Sequence, residues 1–143
     1  MTSIPPISAT PPGIVRRLFR SLATSASGLV AQRVRMDTIA ENIANAETTR
    51  TAAGGPYQRL VAQIAPAPHA GGARVVGIVP DTRPGPTVYD PGHPDADANG
   101  FVRYPNVDIT AETVDLMVAR RAFEANATAF QVGREMLRRA LDL

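Results

Sequence analysis

The stretch NVDITAETVDLMVARRAFEANATAFQVGREMLRRALDL, residues 106–143, decides the fold that the sequence predicts. It contains no proline and one glycine, Gly133. Large apolar residues recur every seven positions, and the positions three further on are mostly small, which predicts a helix with a mixed apolar face. Small side chains let helix axes approach closely, so this helix is expected to pack against several neighbours. The large residues of the repeat are Ile109, Leu116, Phe123, Phe130 and Leu137.

A second proline-free stretch, residues 14–53, lies near the other end of the chain and holds a single glycine, Gly28. Its apolar residues also recur every seven positions. Helices from about Ile14 to Thr48 and from about Ile109 to Leu141 would each be roughly 50 Å long, which is long for a chain of this size. They are predicted to pair as an antiparallel coiled coil whose remaining apolar surface needs other chains. The first repeat consists of Val15, Leu22, Leu29, Met36 and Ile43.

Helix breakers concentrate between the two helices. Residues 54–105 contain 9 of the 13 prolines and 8 of the 11 glycines. Short extended segments alternate there with turns, which predicts a small β-ribbon or compact β-subdomain projecting from the far end of the helix pair. The extended segments are residues 57–64, 74–79, 87–89 and 101–104.

The predicted fold class is therefore mainly α with a small β-rich middle. Four prolines among serine and threonine in residues 1–13 are typical of a flexible or extended tail. The N-terminal helix occupies residues 14–53, the β-rich middle residues 54–105, and the C-terminal helix residues 106–143.

The composition excludes several classes of chemistry. The chain has no cysteine, and all 15 basic residues are arginine, so thiolate and lysine chemistry are ruled out. His69 and His93 lie among prolines and glycines, away from any catalytic motif. No apolar run is typical of a membrane span or a cleaved signal peptide. The sequence predicts no enzymatic activity and no cofactor.

The segment Asp95-Ala96-Asp97-Ala98-Asn99-Gly100 matches the first six positions of a calcium-binding EF-hand loop. The match then fails, because Asn106 occupies the position of the bidentate glutamate and the flanks are rich in proline. A polar turn between Tyr89 and Phe101 is the favoured interpretation, with no metal site.

The first 36 residues contain five arginines and no acidic residue. Such a segment is compatible with a transit peptide, or with a basic amphipathic coiled-coil adaptor that binds nucleic acid or an anionic membrane surface. The apolar repeat continues past Asp37 to Ile43, so a solvated or interfacial face of one structural helix is favoured, and the adaptor remains the alternative function. The five residues are Arg16, Arg17, Arg20, Arg33 and Arg35.

Three stretches resemble the axial rod and hook proteins of the bacterial flagellum. They are AQRVRMDTIAENIANAETTRTAAGGPY (31–57), YDPGHPDADANGFVRYPNVD (89–108) and VDLMVARRAFEAN (114–126). The second stretch is similar to the proximal-rod subunit of that family in particular. The matching motif residues are Asn42, Asn45, Pro56, Tyr57, His93, Pro94, Pro105, Asn106, Asp108 and Asn126.

The resemblance implies a structural subunit that polymerises helically into the proximal rod and transmits motor torque across the periplasm to the hook. It implies export by the flagellar type III apparatus without a cleaved signal peptide. The implied partners are further copies of the chain and the other proximal-rod, distal-rod and rod-junction proteins, with neither nucleic-acid binding nor membrane insertion. It also implies that the paired terminal helices form an inner layer and the β-rich middle an outer part.

Overall fold

The computed structural model describes residues 12–68 and 71–141. Two helices of 33 residues each pack against each other, and four strands lie between them in the chain. The strands form two separate two-stranded sheets. A mainly α fold with a small β-rich middle is thereby confirmed. The elements are α1 Pro12–Ala44, β1 Leu60–Pro66, β2 Ala73–Pro80, β3 Thr87–Tyr89, β4 Phe101–Arg103 and α2 Ile109–Leu141.

The ends of the helices have local causes. Helix α1 begins at Pro12, two residues before the predicted start, and proline is favoured in a first turn because its missing N–H needs no partner there. The rest of the predicted tail lies outside the described residues. Helix α1 ends at Ala44 and does not reach residue 53, because the backbone N–H groups that follow bond only three residues back, Ala46 to the Ile43 carbonyl and Thr48 to the Asn45 carbonyl.

Contacts between the helices pair rising residue numbers in α2 with falling residue numbers in α1, so the two helices run in opposite directions. Glycine stands at two of the crossing points, and each lies against a side chain of the other helix. The heptad residues of both helices are half-buried, except that Ile109 is 48% exposed. The paired positions are Asn42 with Glu112, Arg35 with Asp115, Gly28 with Asn126, and Leu22 with Gly133.

The first hairpin pairs β1 with β2 in antiparallel register, from Leu60 opposite Pro80 to Pro66 opposite Ala73. The predicted projection of the whole middle from the end of the helix pair is wrong for this hairpin, which packs back along α1. Alternate residues of β2 are half-buried and exposed, so one face of the strand is available to the helix. The backbone N–H of Ala73 donates to the Ser27 hydroxyl at 3.1 Å and fixes the far end of the hairpin.

The second hairpin pairs β3 with β4 over three residues each. Tyr89 lies opposite Phe101, and their rings meet edge to face with centroids 5.2 Å apart. Val102, at the centre of β4, is fully buried. The loop between the strands contains the acidic turn, so the turn is a hairpin connection as expected.

We predict that Gly28→Ala destabilises the chain, although alanine is favoured over glycine in a helix by about 1 kcal/mol. A Cβ at this position would lie 2.8 to 2.9 Å from the side-chain atoms of Asn126. Overpacking of this kind costs about 1 to 3 kcal/mol. Thermal unfolding followed by circular dichroism should show a lower Tm.

Gly13→Ala is the matched control, because a Cβ there meets nothing within 4 Å. Its Tm should be unchanged or higher. Equal stabilisation by both substitutions would show that α1 and α2 are not in close contact at Gly28.

Candidate assembly site

Asn42 lies at the centre of a polar junction between α1, β1 and α2, and its exposure is 0%. Its Oδ1 accepts hydrogen bonds from the Tyr57 hydroxyl at 3.0 Å and from the Leu60 N–H at 2.8 Å. Its Nδ2 donates to the Leu60 carbonyl at 2.9 Å and to Glu112 Oε2 at 3.1 Å. The amide thus makes all four hydrogen bonds open to it, so one side chain fixes the start of the first hairpin against both helices.

Glu112 is a carboxylate in the first turn of α2 with an exposure of 1%. Its Oε1 accepts a hydrogen bond from Arg59 Nε at 2.5 Å. The same guanidinium lies 3.9 Å from carboxylates of Asp81 and Asp115. A buried charge is tolerated only when it is paired and hydrogen-bonded, so Glu112 requires Arg59 in this position.

Asn106 extends the junction to the loop after β2. Its Oδ1 accepts a hydrogen bond from the Arg59 N–H at 2.9 Å, and its Nδ2 donates to the Asp81 carbonyl at 3.2 Å. Hydrogen bonds from the side chain and backbone of Arg83 lower the pKa of Asp81 to about 2. The loop therefore presents a charged carboxylate toward Arg59 near neutral pH.

Two further motif residues act at the helices. Asp108 precedes α2, and its Oδ1 accepts hydrogen bonds from the N–H groups of Thr110 at 2.9 Å and Ala111 at 3.2 Å, which is the geometry of a helix N-cap. Asn126 donates to the Ala122 carbonyl at 2.9 Å and lies over Gly28. Both roles shape the helix pair and involve no chemistry.

The acidic turn is held by its own chain. Asp97 Oδ1 accepts hydrogen bonds from the N–H groups of Asn99 at 2.8 Å and Phe101 at 2.9 Å. Asp95 accepts from the Thr49 hydroxyl and pairs with Arg50 Nε, both at 2.8 Å. Within the described residues, no group of three or more histidine or acidic side chains is placed to hold a metal ion.

The remaining motif residues lie around the same turn and loop. His93 Nδ1 accepts a hydrogen bond from the Asp95 N–H at 3.0 Å, and its ring meets Tyr104 edge to face. Pro105 is buried beside Asn106, Pro56 is half-buried, and Pro94 is exposed. His69 lies outside the described residues.

Helix α2 carries an exposed apolar row in addition to its heptad face. Spacings of three, four and seven residues place the row on one side of the helix. Val114 is 56% exposed, and the three other large members are 51 to 52% exposed. We call this row the outer stripe; its members are Val114, Val118, Ala125, Ala129, Val132 and Met136. Exposed apolar side chains gathered on one side of a helix are typical of a protein interface.

Neither described helix contains the apolar length that a bilayer crossing needs. The outer stripe is interrupted by charged residues on its flanks, such as Arg121 and Glu135.

Comparison with known proteins identifies the family. Residues 22–50 match the family described as Flagella basal body rod protein, and residues 98–143 match Flagellar basal body rod FlgEFG protein C-terminal. The flagellar basal-body rod protein FlgC of Borreliella burgdorferi is 39% identical over 145 aligned residues, which cover 87% of this chain and 95% of that protein. The chain belongs to the FlgC family. The predicted resemblance to the flagellar axial proteins is thereby confirmed.

Other FlgC proteins show the same likeness. The Bacillus subtilis protein is 41% identical, with 87% of this chain and 97% of the relative covered. The Salmonella typhimurium protein is 38% identical over 82% of this chain and 90% of the relative. The matched ranges cover α1 from residue 22 onward, all of α2 and the motif residues Asn42 and Asn106.

The sequence motifs do not include the charged members of the junction, Glu112 and Arg59. Glu112 falls three positions after Ile109, where the repeat otherwise has small or uncharged residues. A charge on a predicted buried face signals a buried partner. The partner, Arg59, is 53 positions away, and only the fold brings the two together.

We predict that Asn42→Ala lowers the free energy of unfolding by about 1 to 3 kcal/mol, because buried donors and acceptors lose their partners. Chemical denaturation of the purified chain measures this change. Asn99→Ala is the control, since Asn99 is exposed, and its effect should stay within about 0.5 kcal/mol. Similar small effects for both variants would contradict the proposed importance of the junction.

A second prediction concerns alkaline pH. Burial, followed by the negative charges of Glu41 and Glu112, raises the pKa of Tyr57 above its ordinary value of about 10. The unfolded phenol therefore ionises at lower pH than the folded one. The contribution to stability is fully present below about pH 10 and is lost as the pH rises from there through the folded pKa.

Tyr57→Phe should remove this part of the alkaline loss of stability, as measured by urea unfolding between about pH 8 and pH 11, the range around the ordinary phenol pKa. Tyr89→Phe is the control because Tyr89 is 64% exposed, and its profile should follow the wild type. An unchanged alkaline profile in Tyr57→Phe would show that the Tyr57 phenol does not couple folding to pH.

Proposed function

We propose that the chain is a structural subunit of the proximal rod of the bacterial flagellar basal body. It polymerises helically and transmits motor torque across the periplasm to the hook. Membership of the FlgC family supports the location, since its relatives are named basal-body rod proteins. The observation that carries the mechanical part is the outer stripe, which is apolar and uncovered in the single chain.

The two helices act in this proposal as one antiparallel coiled-coil domain, formed by residues 14–53 and 106–143. The heptad faces support this arrangement, because Leu22, Leu29, Leu116 and Phe123 are half-buried and Leu22 lies against Gly133 of the other helix. The inner layer of the rod is built from this domain. The outer layer is built from residues 54–105.

The polar junction connects the first hairpin mechanically to both helices. Asn42, Arg59 and Glu112 connect α1, the segment before β1 and α2 through hydrogen bonds and an ion pair. Force applied to the hairpins therefore reaches both helices through short, directional contacts. Polar networks of this kind favour one arrangement, because any other leaves buried groups unpaired.

The partners in this proposal are further copies of the chain and the other proximal-rod, distal-rod and rod-junction proteins. The chain reaches the periplasm through the flagellar type III export apparatus without a cleaved signal peptide. It acts as a structural element and not as an enzyme, in keeping with relatives that are named as rod proteins.

Val132→Asp tests the proposal on the outer stripe. Val132 is 52% exposed, so the substitution should leave the helix pair folded. In a rod it would place an unpaired charge in an apolar contact, a penalty of about 1 to 3 kcal/mol or more at each subunit. We expect loss of motility and absence of complete rods in electron micrographs of basal bodies from a strain that lacks the native copy.

Gln131→Asp introduces the same charge at the adjacent residue, which points roughly 100° around the helix, away from the outer stripe. It should assemble and swim as the wild type does. Circular dichroism of both purified variants shows whether the fold is kept. Normal rods with a folded Val132→Asp chain would mean that the outer stripe faces solvent, and the proposed assembly surface would be wrong.

A further inference from the structure

One end of the helix pair is rich in exposed arginine. Residues 12–30 and 125–141 together carry six arginines and one glutamate, a formal charge of +5. Because Leu22 lies against Gly133, the start of α1 and the end of α2 are neighbours, and their charges add. Four exposed arginines at this end form what we call the arginine face: Arg16, Arg17, Arg20 and Arg134.

The arginine face has little countercharge of its own. None of its four members forms an ion pair within residues 12–68 and 71–141. Helix α1 has no acidic residue before Asp37. At this end of α2 the acid is Glu135, and it lies 3.0 Å from Arg139. The charge of the arginine face is therefore open to an anionic partner.

The three arginines of α1 lie on one side of the helix. At about 100° per residue, they fall within about 100° of one another and opposite Leu22, which lies against α2. Ile14 and Phe19 border this arc on its two sides and are 47% and 54% exposed. Leu141, at the end of α2, is 66% exposed. Basic side chains bordered by exposed apolar ones are typical of helices that bind a membrane surface.

We propose that the arginine face binds the surface of an anionic lipid membrane, with Ile14 and Phe19 entering the headgroup region beside it. Guanidinium groups donate hydrogen bonds to lipid phosphate and are attracted by the negative surface potential. Binding is peripheral, because neither described helix has the apolar length that a bilayer crossing needs. The proposal concerns the single chain and does not rest on polymerisation.

The apolar borders favour a membrane over a nucleic acid. A duplex presents phosphate to the arginines, but it has no apolar layer beside the phosphates and would leave Ile14 and Phe19 in water. Lipid headgroups lie directly over acyl chains, so a membrane complements the charge and the apolar side chains together. Binding to duplex DNA and association of copies are measured in the same experiment.

Vesicle flotation of the purified chain tests the proposal. Vesicles of phosphatidylcholine mixed with phosphatidylglycerol are compared with vesicles of phosphatidylcholine alone, at low salt. We expect binding to the anionic vesicles only, and this binding should weaken as salt is added.

The triple variant Arg16→Gln, Arg17→Gln and Arg20→Gln should bind the anionic vesicles roughly 100-fold more weakly, which corresponds to about 2.8 kcal/mol. Each arginine near an anionic surface contributes about fivefold to such binding. Lysine at the same three positions keeps the charge and should bind within about threefold of the wild type. Circular dichroism of each variant shows whether the helices are kept.

Two further variants separate the site from the net charge. Arg33→Gln, Arg103→Gln and Arg121→Gln together are the matched control, since they remove the same charge from exposed positions elsewhere. This chain should bind almost as the wild type does. Phe19→Ser should weaken vesicle binding roughly tenfold, because an apolar border of the arginine face is lost.

Equal losses in the two triple-glutamine chains would overturn the proposal, because net charge alone would then explain the binding. Unchanged vesicle binding by Phe19→Ser would also overturn it. So would a dependence on the arginines that is confined to duplex DNA in gel shifts, or to association of copies in analytical ultracentrifugation. These outcomes leave the proposed rod function intact, and the Val132→Asp experiment tests that function separately.

Discussion

The structure depends on a carboxylate that is removed from water. Glu112 is 1% exposed at the start of α2, and a buried charge of this kind is stable only with a close countercharge and further hydrogen bonds. Arg59 supplies the countercharge and Asn42 supplies a hydrogen bond. Because these residues lie on separate segments, the requirement of one carboxylate brings α1, α2 and the start of the first hairpin to a single point.

Away from this point, the helices are held by a thin apolar contact. Few of the described apolar residues are fully buried, and the heptad residues are half-covered. Glycines at positions 28 and 133 let the helices approach closely, so the contact is narrow as well as tight. A narrow contact leaves a second face of α2 free. That face is the outer stripe, and its exposure in one chain is what makes the chain suited to assembly.

Much of the fold could be predicted because its signals are local. Periodicity and the absence of proline indicated α2 with the bounds Ile109 to Leu141 that the structure has. The strands were indicated by short extended runs, with errors of a few residues at β1. The direction of the first hairpin could not be predicted, because it depends on bonds such as that between Ser27 and Ala73, which are 46 positions apart. The roles of the motif residues could not be predicted either, because they depend on how the loops pack against the helices.

The apolar repeats and the polar junction contribute differently to the register of the two helices. A heptad face resembles itself after a shift of seven residues, so apolar packing alone distinguishes poorly between registers of the two helices. The junction does distinguish them. A shift of seven residues would move Glu112 roughly 10 Å along the helix pair, away from Asn42. The buried charge would then have fewer partners, and removing a partner from a buried pair costs about 3 to 5 kcal/mol. The close contacts at Gly28 and Gly133 oppose the same shift, since larger side chains would then meet at those crossings. A subunit that transmits torque needs one register in every copy, and in this chain polar and steric contacts select that register while the apolar stripes supply the attraction.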